Sequence, residues 1–301
     1  MSVRRIAIVG ASGQLGSALV AAFADREVDA PSHAQLDLED GAALAAWLDR
    51  ATPDVLVNCA AFHQVDQCER EPQRAFALNA LAVDRAAAAC AERGIAFATI
   101  SSDYVFAGDA ARAYREDDAP NPGTVYGASK FTGELLVRKH GPRHWIVRTS
   151  GLFGDAARSN KGLALIERAL RQAERGEPTK MVADIVFSPS YAPHVARAIR
   201  DLVDAQAFGI HHVTNAGACS WYEFVRTAFV KAGLAGAPLE PVTYAALGNP
   251  TPRPLHSPLA NTTFAAAGIA PLPDWPAALE AFLAARATGA GATRDSAIAR
   301  P

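Results

Sequence analysis

Lysine is scarce in this sequence: Lys130, Lys139, Lys161, Lys180 and Lys231 are the only five among 301 residues. A base-composition bias accounts for that, and it makes any lysine at a chosen position easier to notice. Cysteine is equally sparse. Cys59, Cys68, Cys90 and Cys219 form no C-x-x-C pair and have no histidine at zinc-ligand spacing. This argues against a disulfide scaffold and a zinc ribbon, and it fits packing roles in a reducing compartment. No metal-ligand cluster is visible. Neither charge sign is in excess: 29 basic against 31 acidic side chains leave a formal charge of −2. The chain therefore lacks the electrostatic footprint of a partner for nucleic acid or an anionic membrane. No apolar run approaches the ~20 residues that span a bilayer. The apolar stretch near the N-terminus is too short for a signal sequence. These absences lead us to expect a soluble cytoplasmic protein, with no nucleic-acid or membrane partner.

Half the residues are hydrophobic and a fifth are charged, enough for a sizeable core. The length allows one large domain or two modest ones, at roughly 100–200 residues each. Apolar or β-branched runs at Ile6–Val9, Val55–Asn58, Ile95–Ile100 and Trp145–Arg148 alternate with helix-compatible stretches. Those are 15–26, 41–50, 71–93 and 128–139. Such alternation predicts βαβ units and an α/β fold built on a parallel sheet. After residue 150 the pattern loosens. Helices are expected at 163–174, 193–203 and 221–231, and strands at 180–183 and 210–213. Prolines 238, 241, 250, 252, 254 and 258 then predict a loop region of fixed shape. From about 287 the tail lacks periodicity and reads as disordered.

The first strand runs into Gly10-Ala-Ser12-Gly13-Gln14-Leu15-Gly16 and then a helix. Gly10 permits a tight turn, Gly13 a close approach to a pyrophosphate, and Gly16 close packing of helix on strand. Backbone N–H groups and the helix dipole would face the phosphates. The second strand decides between NAD and NADP. Its end is placed at Ala30–His33, where Ser32 and His33 could donate to a 2′-phosphate, while Asp29 could instead accept from a 2′-hydroxyl. NADPH is the preferred cofactor and NADH stays open. Asp37 would lie beside an adenine amine, with Leu38 packed on the ring.

The strand near residue 100 ends in Ser101-Ser102-Asp103, at the sheet end where α/β proteins bind ligands. Tyr126 and Lys130 follow at i and i+4 on one helix face. A lysine cation beside a phenol lowers the phenol's pKa, which makes Tyr126 a candidate general acid. Ser102 would bind the same substrate oxygen.

Taken in order, these segments resemble the extended short-chain dehydrogenase/reductases and, within them, the dTDP-4-dehydrorhamnose reductase family. The matching stretches include Gly13-Gln-Leu-Gly16, Leu36-Asp-Leu38, Asn58-Cys-Ala-Ala61, Val65-Asp66 and Ala77-Leu-Asn79-Ala80. Further matches are Ser102-Asp-Tyr-Val-Phe106, Val125-Tyr-Gly-Ala-Ser-Lys130, Gly133-Glu134, Val147-Arg-Thr-Ser150, and Arg253-Pro254 with Ser257. The resemblance implies a Rossmann-type doubly wound sheet with a smaller, discontinuous C-terminal substrate domain. Residues 1–150 would bind the cofactor, with about 184–215 returning to that domain, and 151–286 would mainly bind substrate. It implies a cofactor site at Gly10, Ser12, Gly13, Gln14, Leu15, Gly16, Ser32, Asp37, Leu38, Ala60, Ala61, His63, Asn79, Ser101, Tyr126 and Lys130. Ser102, Tyr126 and Lys130 would be catalytic. Ser102, Asp103, Val65, Gly151 and Arg253 would meet a nucleotide-sugar substrate. A homodimer is compatible with this reading.

Two departures bear on the substrate. His63 replaces a threonine of the family, and Gly151 stands where the reductases carry a tryptophan that helps hold the sugar nucleotide. The activity implied is reduction of a nucleotide-linked 4-keto-6-deoxy sugar. A reductase or epimerase of another nucleotide sugar, or a non-catalytic subunit on the same fold, stands as the alternative.

Overall fold

Strands that are apolar on both faces need cover on both sides. The computed structural model describes residues 3–154 and 165–288. The first half supplies β1 (Arg5–Val9), β2 (Glu27–Asp29), β3 (Val55–Asn58), β4 (Ala96–Ser102) and β5 (His144–Thr149). The second half adds β6 (Leu152–Phe153), β7 (Thr179–Val182), β8 (Val186–Phe187), β9 (Ser190–Tyr191), β10 (Gly209–His212), β11 (Cys219–Ser220) and β12 (Leu239–Val242). One six-stranded sheet runs in the order β10-β5-β4-β3-β1-β2, and every pairing in it is parallel. The chain order reverses at β1, which lies between β2 and β3. The space beyond the strand ends at such a reversal is where open α/β sheets bind ligands.

The helices are α1 (Gln14–Ala22), α2 (Gly41–Ala51), α3 (Val65–Arg70), α4 (Pro72–Phe76), α5 (Ala82–Glu92), α6 (Val125–Arg138), α7 (Leu165–Glu174), α8 (Ala192–Asp204), α9 (Trp221–Lys231) and α10 (Trp275–Ala287). Alternate residues of each strand face opposite sides. Ile6, Ile8, Val55 and Val57 meet Leu19 and Phe23 near α1, with Val195 and Ile199 of α8. Ala7, Val9, Leu56 and Phe97 meet Leu44 and Trp47 of α2, Val83 and Ala86 of α5, and Val137 of α6. A further core gathers Phe153, Leu170, Phe187, Phe224, Leu279 and Phe282 from the second half. Through α8 and β10, residues 192–212 pack with the sheet of the first half.

Several elements differ from the sequence expectation. The helix expected over 71–93 is broken into α4, a π turn at Ala77–Leu81, and α5. The helix carrying Tyr126 starts earlier than expected, at Val125, because Thr124 Oγ1 caps it by accepting from Gly127 N at 2.9 Å. The proline-rich region holds a strand after all. In β12, Pro241 pairs opposite Met181 of β7, and a two-stranded sheet is all edge, where proline's missing N–H is tolerated. No expectation was formed for α3 and α10. The disordered tail expected from 287 lies, beyond residue 288, outside the described residues, as do 163 and 164. Among the described residues no helix is long and apolar enough to cross a membrane.

The contact that positions α6 is unusually close. A Cβ on Gly133 would stand 2.4 Å from the Asn79 carbonyl oxygen in the π turn. Gly133→Ala is therefore expected to lower unfolding free energy by about 1–3 kcal/mol, read from urea denaturation.

Candidate active site

The glycine loop joins β1 to α1 at the reversal of strand order. Gly10 has φ +81°, and a Cβ there would lie 2.7 Å from Ala60 N and 2.8 Å from the carbonyl carbon of Cys59. On Gly16 a Cβ would lie 2.2 Å from the Gly10 oxygen. Backbone packing thus requires both glycines. Gly13 is different: a Cβ there would meet only the Gly10 oxygen, at 3.4 Å. No side chain caps α1, so its first N–H groups face the loop opening. Buried Gln14 Nε2 and Asn58 Nδ2, beside this loop and at the end of β3, have no protein partner. Open space above Gly13, an uncapped helix start and orphaned donors fit an anionic dinucleotide.

The structure corrects several expectations here. Strand β2 ends at Asp29, not at Ala30–His33, so an acid holds the strand end. Ser32 lies in a following turn, where its hydroxyl donates to Gln35 Oε1 at 2.9 Å. Asp37 is exposed and accepts from Glu39 N at 2.9 Å. Leu38 does not lie open to an adenine ring. It is buried in the core with Leu44 and Trp47. Leu15 likewise turns into the core under the sheet, which leaves only its backbone to a ligand. Ser12 and His63 are exposed, and Ala60 and Ala61 are half-buried past the end of β3. The Asn79 amide is engaged within the protein. It accepts from Phe62 N at 2.8 Å and donates to Phe62 O and Ser129 Oγ at 2.9 and 3.0 Å.

Ser101 and Ser102 face opposite sides of β4, as neighbours on a strand must. Ser101 Oγ donates to Glu134, so its hydroxyl is committed to a buried ion pair rather than to a cofactor. Ser102 Oγ donates to Asp103 Oδ1 at 2.9 Å and accepts from Tyr104 N at 3.2 Å. Tyr126 lies close enough to Ser102 for that hydroxyl to favour its phenolate, and it packs edge-on against Tyr104, centroids 5.6 Å apart. The expected lowering of the Tyr126 pKa is not observed. Burial pushes the phenol above its ordinary value and the Asp103 charge adds to this, while the Ser102 hydrogen bond opposes it. Lys130 is 4% exposed. Burial brings its ammonium down to about 8, against the pull of Glu134 and Cys59. The same Cys59 abuts Gly10, so lysine, glycine loop and serine gather at the ends of neighbouring strands.

Asp103 is 5% exposed. Besides Ser102 it accepts from Ser150 at 2.9 Å and Ser257 at 2.7 Å. Burial pushes its carboxyl up, and the three hydroxyls pull it back. Val65 opens α3 and is half-buried. One residue on, Asp66 accepts from Arg253 NH2 at 2.7 Å. Arg253 NH1 is buried with no partner. Gly151 has φ +48°, and a Cβ there would lie 2.2 Å from Cδ2 and Cε2 of Phe187. Phe187 in turn stacks on Trp221, centroids 3.8 Å apart.

Sequence reasoning assigned no role to Asp66, Glu134, Ser150 or Ser257, although each lay in a segment matching the family. It gave no signal at all for Phe187. Gly151→Ala is expected to cost about 1–3 kcal/mol of stability. Combined with Phe187→Ala it should cost less than the sum of the two single changes, measured by urea denaturation of all three variants.

Residues 4–288 match the family described as RmlD substrate binding domain. The spore coat polysaccharide biosynthesis protein SpsK of Bacillus subtilis is 36% identical, over 94% of this chain and 98% of its own. A dTDP-4-dehydrorhamnose reductase of Mycolicibacterium smegmatis is also 36% identical, over 97% of this chain and 88% of its own. A crystal structure of dTDP-4-dehydrorhamnose reductase from Bacillus anthracis, in complex with NADP, aligns with a TM-score of 0.88. It is 31% identical and covers 94% of this chain and 99% of its own. With a glycine loop at the strand-order reversal and Ser102, Tyr126 and Lys130 beside it, this chain belongs to the RmlD substrate binding domain family.

Proposed function

We propose that this chain is an NADPH-dependent reductase of a nucleotide-linked 4-keto-6-deoxy sugar, most like dTDP-4-dehydrorhamnose. The observation that carries the reading is the meeting of Ser102, Tyr126 and Lys130 next to the glycine loop. The names of the relatives and the NADP in a related structure support it. In this reading residues 1–150, joined by about 184–215, hold the cofactor, and 151–286 mainly hold the substrate.

Gly13, the start of α1 and Gln14 would hold the cofactor's phosphates, and Lys130 its ribose. When bound, NADPH supplies the hydride to the sugar carbonyl carbon. Tyr126 supplies the proton. Its raised pKa keeps the phenol protonated at neutral pH, the form a proton donor needs. Ser102 lies beside the phenol and favours its phenolate form, while Asp103 accepts from Ser102 Oγ at 2.9 Å and holds that hydroxyl in place. The charge of Lys130 lies one helical turn from Tyr126 and favours the phenolate left after proton transfer. The buried free NH1 of Arg253, steadied through NH2 by Asp66, offers a donor to the substrate's diphosphate. Asp29 at the end of β2 is an acid where NAD sites bind a ribose 2′-hydroxyl, so NADH is the second cofactor to assay. The Phe187–Trp221 stack against Gly151 favours a second reading, the same reduction on a related nucleotide sugar.

Turnover of a dTDP-4-keto-6-deoxyhexose with NADPH tests the proposal. Tyr126→Phe is expected to lower kcat by about a hundredfold or more and to leave the NADPH dissociation constant unchanged. Wild-type turnover in that variant would overturn the assignment. The pH profile supplies an independent check. Lys130 carries its charge below about 8 and loses it above, so kcat/KM should fall as pH rises through that value. Lys130→Arg, charged throughout, should lose that alkaline limb.

A further inference from the structure

The single turn Asp103–Val105 follows β4 and carries both Asp103 and Tyr104 toward the candidate site. The Asp103 carboxylate is saturated by three serines. Tyr104 is in the opposite condition. Its backbone is held firmly and its hydroxyl is not held at all.

Tyr104 N donates to Ser102 Oγ at 3.2 Å. Its carbonyl lies against α6, where a Cβ on Gly127 would stand 2.1 Å from the oxygen. Val105 and Phe106, next along the chain, are buried with Tyr114 and Leu259. The ring therefore projects from a turn that is anchored before it, behind it and after it.

A phenol with little exposure ordinarily finds a hydrogen-bond partner. Tyr114 does so: its hydroxyl accepts from the backbone of Gly108 and Asp109 at 3.0 and 3.1 Å and donates to Asp109 Oδ1 at 2.9 Å. Tyr244 donates to the Thr251 carbonyl at 2.6 Å. Among the described residues the Tyr104 hydroxyl has no such partner. The residue is partly exposed, and its oxygen is not among the sealed, unpartnered polar atoms of the described residues.

Position gives that free hydroxyl its meaning. The ring packs edge-on against Tyr126. Burial pushes the Tyr104 phenol above its ordinary value, the Asp103 charge adds to this, and the Arg253 cation opposes it. The group is thus neutral, able both to donate and to accept. It stands beside the proposed proton donor and within the field of the arginine proposed for the diphosphate.

We propose that Tyr104 is a specificity-determining residue whose hydroxyl hydrogen-bonds the C3 hydroxyl of the sugar. This rests on the reductase reading above. In a 4-keto-6-deoxyhexosyl diphosphate the C4 carbonyl and the C1 diphosphate lie at opposite ends of the ring. A side chain that flanks Tyr126 and feels Arg253 meets one of the two ring edges between them. One edge carries the C2 and C3 hydroxyls, the other the C5 methyl and the ring oxygen. A free neutral hydroxyl complements the first edge, and facing a methyl it would stay unpaired at a cost. C3 is the hydroxyl-bearing carbon next to C4.

The test compares kcat/KM with NADPH for the wild-type chain and Tyr104→Phe on two substrates. These are a dTDP-4-keto-6-deoxyhexose and its 3-deoxy counterpart. Tyr104→Phe is expected to lower kcat/KM about tenfold on the first and to leave it unchanged on the second. The urea midpoint should not move, because no bond within the protein is lost. A role that acts only through the packing of Tyr126 would cost both substrates alike. Equal losses on the two, or no loss on the first, overturn the proposal while wild-type turnover leaves the reductase reading standing. If the wild-type chain reduces neither substrate, that reading falls and this proposal with it.

Discussion

The carboxylate of Asp103 is the point from which the candidate site is built. It is buried, and it holds three serine hydroxyls from three separate stretches of chain. Ser102 fixes the end of β4, Ser150 the exit of β5, and Ser257 the proline-rich segment. An isolated buried carboxylate costs several kcal/mol. Three charge-assisted hydrogen bonds offset that cost only if all three segments arrive together. Each segment then carries a second residue into place. Ser102 brings the hydroxyl that meets Tyr126, Ser150 sets Gly151 against Phe187, and Ser257 follows Arg253 by four positions. The close approach of Pro254 to Gly108, where a Cβ would lie 2.4 Å from the proline Cα, secures the same junction from behind.

A second buried charge group supports the helix face that carries Tyr126 and Lys130. Glu134 and Arg148 are each 2% exposed and joined at 2.7 Å. Ser101 adds a hydroxyl to the carboxylate, and the guanidinium lies 5.1 Å from the Phe106 ring centre. His212 beside Arg148 is buried and pushed down to about 4, so it remains neutral and adds no competing cation. Glu134 is one helical turn from Lys130, and its charge opposes the desolvation that lowers the lysine. Breaking such a pair from one side strands a charge.

Most of the sheet and the pairing of Tyr126 with Lys130 on one helix could be read from local pattern. Apolar runs gave the strands, and the spacing of Tyr126 and Lys130 gave one helix face. Features that depend on distant partners could not be read that way. Leu15 and Leu38 look like ligand contacts in a motif and are core residues in space, because burial is decided by α8 in one case and α2 in the other. Ser101 was read with its neighbour as one site, but strand alternation sends it to the opposite face. The Tyr126 expectation failed for a related reason. Sequence spacing shows the lysine but not the burial, and burial dominates. Asp103 and Ser257 are 154 positions apart, a separation over which no periodicity carries information. Pro241 was read as a loop residue because nothing local announces an isolated two-stranded sheet.

The three glycines of the first loop show where the fold's own demands end. Gly10 and Gly16 are required by protein backbone lying within 3 Å of any added Cβ. An alanine at Gly13 would meet one carbonyl oxygen at ordinary contact distance, and its φ of −78° is open to any residue. Nothing within the protein calls for glycine there. The space left above it adjoins the uncapped N–H groups of α1, where backbone donors and the helix dipole favour an anion. Packing thus explains the outer two glycines, and at the middle one it leaves open space beside those donors.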